Sequence, residues 1–241
     1  MENKKINIIP SASEMSQRDE ILAKAYKDLV FFGRVFLPQD FLHKSESPQF
    51  HHDLSKKLIQ HKPGARICNV IPRGMGKSIL EQGQSIDHVK YIRHHFEENE
   101  IIRYYFGNMD GGSVGKRWTE KDIVTPKGDR IIAKGSAQRL RGRAEVGVRY
   151  TGIILDDFES ELNTKTPDRR AELKKWIVST VFPSLEETPG NEGWIWLTGT
   201  IVHYDAFLQN IVDGYNDAMN HNRSYPWDLT FHRAIEDGKP F

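Results

Sequence analysis

The sequence predicts an α/β fold, a mostly parallel sheet with helices on both faces. Three observations carry this. Short apolar runs of strand length alternate with stretches whose apolar residues recur at helical spacing, which is the pattern of strand–helix–strand units. One run, Ile67 to Ile71, breaks directly into Pro72-Arg73-Gly74-Met75-Gly76-Lys77-Ser78. Another, Tyr150 to Leu155, breaks into Asp156-Asp157-Phe158-Glu159. At 241 residues the chain is long enough for one large domain with a substantial core.

The elements follow in order. Residues 1–13 read as a lead-in. From about Ser16 to Phe36, Ile21, Ala25, Leu29 and Val30 fall at helical spacing, with an aromatic end at Phe31 and Phe32. A second helix is predicted from about Gln49 to Gln60, with Phe50, Leu54 and Leu58 on one face, closed by Pro63-Gly64. The first strand and its glycine turn come next. A helix from about Ser85 to Glu98 carries Ile86, Val89, Ile92 and Phe96. Trp118 to Gly135 reads as two short strands around the turn signal Pro126-Lys127-Gly128-Asp129. The acid-ended strand follows, read as buried in a parallel sheet because its run is continuously apolar. A long helix is predicted from about Asp168 to Phe182, with Leu173, Trp176, Ile177 and Val181 as its buried stripe. Trp194 to Leu197 is a further strand, ending in Thr198-Gly199-Thr200. A helix from about Asp205 to Tyr215 and a strand from Leu229 to Ile235 complete the pattern.

Composition narrows the class. Hydrophobic residues are 38% and charged residues 28%, the range of soluble globular domains. No apolar stretch approaches the roughly 20 residues of a membrane span, and the polar start Met1-Glu2-Asn3-Lys4-Lys5 is not a signal peptide. One cysteine, Cys68, excludes an intramolecular disulfide framework and fits a reducing cytoplasm. A net charge of +1 argues against a uniformly basic nucleic-acid binder. Lys134, Arg139, Arg141, Arg143 and Arg149 nonetheless form a local basic cluster suited to phosphates.

The turn after Ile71 has the chemistry of a phosphate loop. Backbone N–H groups of a glycine turn point inward and cradle phosphates, and a following helix adds partial positive charge at its N-terminus. Lys77 would neutralise the outer phosphates, and the Ser78 hydroxyl would ligate Mg²⁺. The loop is an altered form, because Ile71 stands where the usual pattern has its first glycine. The second motif supplies carboxylates at a strand end, where an open α/β sheet places its ligand crevice. Together the two motifs point to a P-loop NTPase. Asp156 is the expected Mg²⁺ partner. Asp157 or Glu159 would orient the attacking water, and Glu159 is favoured for its longer reach. In extended chain these last two would share one face, with Asp156 on the other.

The order phosphate loop, Leu140-Arg141-Gly142, acid-ended strand and Leu197-Thr198-Gly199-Thr200 resembles the N-terminal ATPase domain of the tailed-bacteriophage terminase large subunit. The likeness covers roughly residues 25–241, with residues 1–24 as a lead-in. It implies a P-loop fold of the additional-strand glutamate type, related to RecA and helicases. It also implies ATP and Mg²⁺ as cofactors, and work in the bacterial host cytoplasm, transiently on the procapsid. The implied partners are viral double-stranded DNA, the capsid portal protein, the small terminase subunit and further copies in a ring, with no membrane. Residue by residue, it implies Arg141 as a finger reaching a neighbour's nucleotide and Arg73 as a sensor or phosphate contact. Gly74, Met75 and Gly76 would be loop contacts, and Thr198, Gly199 and Thr200 the coupling motif. Gln49 and His51 lie where the family often contacts adenine.

The sequence departs from the family in three ways. The acids read Asp-Asp-x-Glu instead of adjacent Asp-Glu. The nuclease domain that usually follows is expected beyond Phe241, so nuclease activity is not expected of this segment. The interval after the phosphate loop is short: the family has a longer helix and a strand there, which predicts that further residues intervene between about Leu80 and Gln84, with a correspondingly wide Cα separation.

Overall fold

The computed structural model describes residues 12–41, 47–72, 85–135, 149–233, 235–236 and 239–240. Arg73, Gly74, Met75, Gly76, Lys77, Ser78, Arg141 and the interval 80–84 lie outside these, and with them the expectations placed on the phosphate loop, the arginine finger and the short interval. The chain divides into two compact units, Met1–Gln60 with His94–Asp110, and His61–Arg93 with Gly111–Phe241.

The first unit is helical. The single helix expected from Ser16 to Phe36 is two, α1 (Ala12–Ala25) and α2 (Leu29–Phe36). Asp28 causes the break: its backbone is extended, and its carboxylate accepts from the Val30 and Phe31 N–H groups, starting a new helix. Short α3 (Pro38–Phe41) and α4 (Gln49–Ile59) follow, α4 with Phe50 and Leu54 buried as expected. Helix α5 (Ser85–Glu98) has the predicted bounds; its residues up to Arg93 are assigned to the second unit and those from His94 to the first. Helix α6 (Glu100–Phe106) was not anticipated, although Asn99 and Glu100 are a legible start signal. The Asn99 side chain accepts from Ile102 N–H and donates to the Phe36 carbonyl at 2.7 Å. Ala25, Phe36 and Ile102 form the buried centre, and Phe36 meets the Tyr105 ring edge-on at 5.1 Å.

The second unit is α/β. It contains β1 (Arg66–Val70) and a hairpin of β2 (Asp122–Val124) with β3 (Arg130–Ile132), followed by β4 (Gly152–Asp156), α7 (Glu161–Thr164) and α8 (Pro167–Trp176). Next come β5 (Trp194–Gly199), α9 (Phe207–Asn220) and β6 (Asp228–Phe231), then a small antiparallel pair, β7 (Ile235–Glu236) with β8 (Lys239–Pro240). Among the described residues, β4, β5, β1 and β6 make one parallel sheet in that order, flanked by helices. Successive side chains on a strand alternate faces. On one face Cys68, Val70, Ile195 and Leu197 pack with Leu173, Ile177 and Val181, and with Leu208 and Ile211 of α9. The opposite face is also buried over β1 and β5, through Ile67, Asn69, Ile71, Trp196 and Thr198.

Two further expectations are corrected. The continuously apolar run before the acids predicts a strand buried in a parallel sheet; β4 is instead the edge of the described sheet, and Ile154 is 53% exposed. The long helix expected to run to Phe182 leaves α-geometry after Trp176. Ile177–Val181 is a π-helical stretch in which the Phe182 N–H reaches back to the Ile177 carbonyl, and Phe182–Ser184 is a 3₁₀ turn. Pro183 has no amide hydrogen, so the i→i−4 ladder cannot pass it. Leu173, Ile177 and Val181 are nevertheless buried as the stripe predicted.

Candidate functional site

The parallel register brings the C-terminal ends of three motif-bearing strands to one edge. Val70 pairs with Gly199, and Asp156 pairs with Thr198. The ladder continues past the strands: Ile71 N–H donates to the Gly199 carbonyl at 3.0 Å, and Asp157 N–H donates to the Thr198 carbonyl at 2.9 Å. The Thr200 hydroxyl donates to the Ile71 carbonyl at 2.8 Å, tying the segment after β5 to the end of the β1 run. The strand carrying Thr198 and Gly199 thus lies between the strand that enters the loop and the strand that ends in acids. This is the edge at which open parallel sheets bind ligands.

The three acids have different surroundings. Asp156 ends β4 and is half-buried. Asp157 is exposed and has φ of 40°, left-handed backbone that Asp tolerates better than most residues. Extended geometry therefore stops at Asp156, and the face-sharing expected of Asp157 and Glu159 does not arise. Glu159 turns inward, is 6% exposed, and accepts from Phe207 N–H at 2.5 Å and Leu208 N–H at 3.2 Å. Burial pushes its carboxyl above the usual range, opposed by those two N–H groups. Ser160 then caps α7 through a reciprocal pair of bonds with Asn163, which fixes the exit from the motif.

One participant was missed. Asn69 sits within the run read as apolar, wholly buried, and register places it in a row with Asp156, Thr198 and Thr230 on neighbouring strands. Neither its amide oxygen nor its amide nitrogen has a hydrogen-bond partner among the described residues. A polar residue interrupting an apolar strand was the available signal.

Of the other expected residues, Gln49 and His51 belong to the first unit and Arg149 to the second. Gln49 is in the first unit, where its amide donates to Asp53 at 3.1 Å, and His51 beside it is buried. Of the basic cluster, Arg149 donates to the Pro183 and Leu185 carbonyls and pairs with Glu187 at 2.8 Å, a role within its own unit. Arg139 and Arg143 lie outside the described residues.

No group of three or more His, Cys, Asp or Glu side chains gathers to hold a metal among the described residues. Asp156 offers a hard oxygen donor at the C-terminal end of β4. No protein-family model matches the chain, and no curated protein matches it.

Proposed function

We propose that the chain is a Mg²⁺-dependent P-loop ATPase of the additional-strand glutamate type, and that it serves as the motor subunit moving viral double-stranded DNA into a capsid. The observation that supports this best is strand order. An extra strand, β5, is inserted between the phosphate-loop strand β1 and the acid strand β4, and that insertion is what an additional-strand P-loop sheet requires. Sequence supplies the loop chemistry; strand order supports the reading by bringing Val70, Gly199 and Asp156 to neighbouring strand ends.

In this reading Gly74, Met75 and Gly76 present backbone N–H groups to the phosphates of ATP, and Lys77 offsets charge on the transferred group. Arg73 adds a further phosphate contact. Ser78 and Asp156 would hold Mg²⁺, which would supply Lewis-acid polarisation of the phosphates. Asp157, exposed at the strand end, would orient water, while Glu159 is buried and turned toward Phe207 and Leu208. Gly199 and Thr200 are bonded to the loop strand at Ile71, and Thr198 accepts from the acid motif at Asp157 N–H, so Thr198 to Thr200 would join the two. Arg141 from a neighbouring copy would meet transition-state charge, worth about 10³–10⁵ in rate for such fingers. The portal protein, the small terminase subunit and a ring of copies on the procapsid belong to the same proposal.

The test is ATP turnover by the full chain alone, with duplex DNA, with single-stranded DNA and with empty capsids. A packaging motor is stimulated by duplex DNA together with capsids. Stimulation by single strands alone places the chain with helicase-like ATPases, and nucleotide binding without turnover under any condition makes it an assembly module.

A further inference from the structure

Glu159 differs from the other two acids in what it holds. Its carboxylate spans the first two N–H groups of α9, at 2.5 and 3.2 Å. A helix start ordinarily finds its acceptor on a Ser, Thr, Asp or Asn side chain at the cap. Ala206 occupies the cap here and has nothing to offer, so the acceptor comes from 48 residues upstream, on the acid motif. The positive end of the helix dipole favours a carboxylate at that point. The same helix start also lies against the coupling strand: a Cβ at Gly199 would stand 2.8 Å from Leu208 Cδ1 and 3.8 Å from Asp157 Oδ1. One turn of helix therefore touches both the acid motif and the coupling motif.

We propose that Glu159 is a positioning residue that makes the acid end of β4 and helix α9 move as one piece, so that a change at Asp156 and Asp157 during nucleotide turnover is passed to α9. The proposal rests on the P-loop reading above. Two bonds from one carboxylate to adjacent N–H groups fix direction as well as distance. Without them, the edge-on contact of Phe158 with Phe207 is an apolar joint that fixes neither.

The test is amide hydrogen exchange on the full chain, with and without Mg²⁺ and a non-hydrolysable ATP analogue. In the wild type, the analogue changes protection along α9. In Glu159→Gln, one acceptor becomes an NH₂ facing an N–H, so protection at Phe207 and Leu208 falls about ten- to hundredfold. The analogue still binds, but the response of α9 is lost, and kcat falls with little change in KM. Phe207→Pro attacks the joint from the other side. It removes one donor at a helix position that accepts proline, after an Ala206 already extended at φ −84°, ψ 164°. It should likewise silence α9 with the carboxylate intact.

A nucleotide response of α9 that survives in either variant overturns the proposal. So does a wild-type α9 that ignores bound analogue. Loss of turnover in Glu159→Gln as complete as in Asp157→Asn, with the α9 response retained, makes Glu159 the group that acts on water. Failure of the wild type to bind Mg²⁺ and analogue overturns the P-loop reading itself, and the coupling with it.

Discussion

At the scale of single residues, burial decides what a side chain can do. Asn69 is wholly buried with both amide atoms unpartnered among the described residues, in the centre of a four-stranded sheet. An unpaired buried polar group costs about 1–3 kcal/mol, and Val fits a strand well. Asn69→Val should therefore stabilise the fold by about that amount in urea titration, while lowering turnover if the row it shares with Asp156 and Thr198 serves the site. Asp122 is the converse. Arg130 chiefly, and Arg117, hold its carboxyl below the ordinary value of 3.8. A depressed carboxyl contributes stability above its unfolded value and loses it as pH falls through its folded one. Asp122→Asn should be less stable than wild type by about 1–3 kcal/mol at pH 7, with the gap closing below pH 3.8 in melts across pH.

At the scale of elements, what the sequence made legible is what local chemistry dictates. The bounds of α5, the hairpin around Pro126 to Asp129, and the strands that become β1 and β5 follow from periodicity and turn residues. The errors have one character: a side chain or a neighbour overrode the period. Asp28 split one predicted helix in two by capping, and Pro183 forced the end of another through a π stretch and a 3₁₀ turn. The site shows the same division. Asp156, Thr198 and Gly199 could be placed at strand ends from sequence, because apolar runs end where they end. The fates of Asp157 and Glu159 could not, since they depend on a left-handed residue and on a helix start 48 residues away. Gly199 is the element-scale joint. A methyl there meets the fully buried Leu208, and overpacking of that kind costs about 1–3 kcal/mol. Gly199→Ala should lose about that much in urea titration and shift the start of α9, seen as altered amide exchange at Phe207 and Leu208.

At the scale of the whole chain, the parallel sheet turns separate stretches of sequence into one edge: the end of the β1 run at Ile71, the segment Thr198 to Thr200, and the acids after β4. No helix among the described residues is long and apolar enough to cross a membrane. On the proposed reading, a nucleotide that binds the folded state only would stabilise the chain by mass action. At a concentration of Mg–ATP about 100 times its Kd the gain is about 2.7 kcal/mol, measurable as a rise in unfolding midpoint, and it should vanish without Mg²⁺. The most direct measurement is release of inorganic phosphate from ATP by the wild-type chain and by Lys77→Ala under identical conditions. The account predicts Mg²⁺-dependent release by the wild type and none above background by the variant, because that lysine meets both the bound phosphates and the charge that develops on transfer. Equal release by the two proteins, or wild-type protein that neither hydrolyses nor binds ATP with Mg²⁺ present, would contradict it.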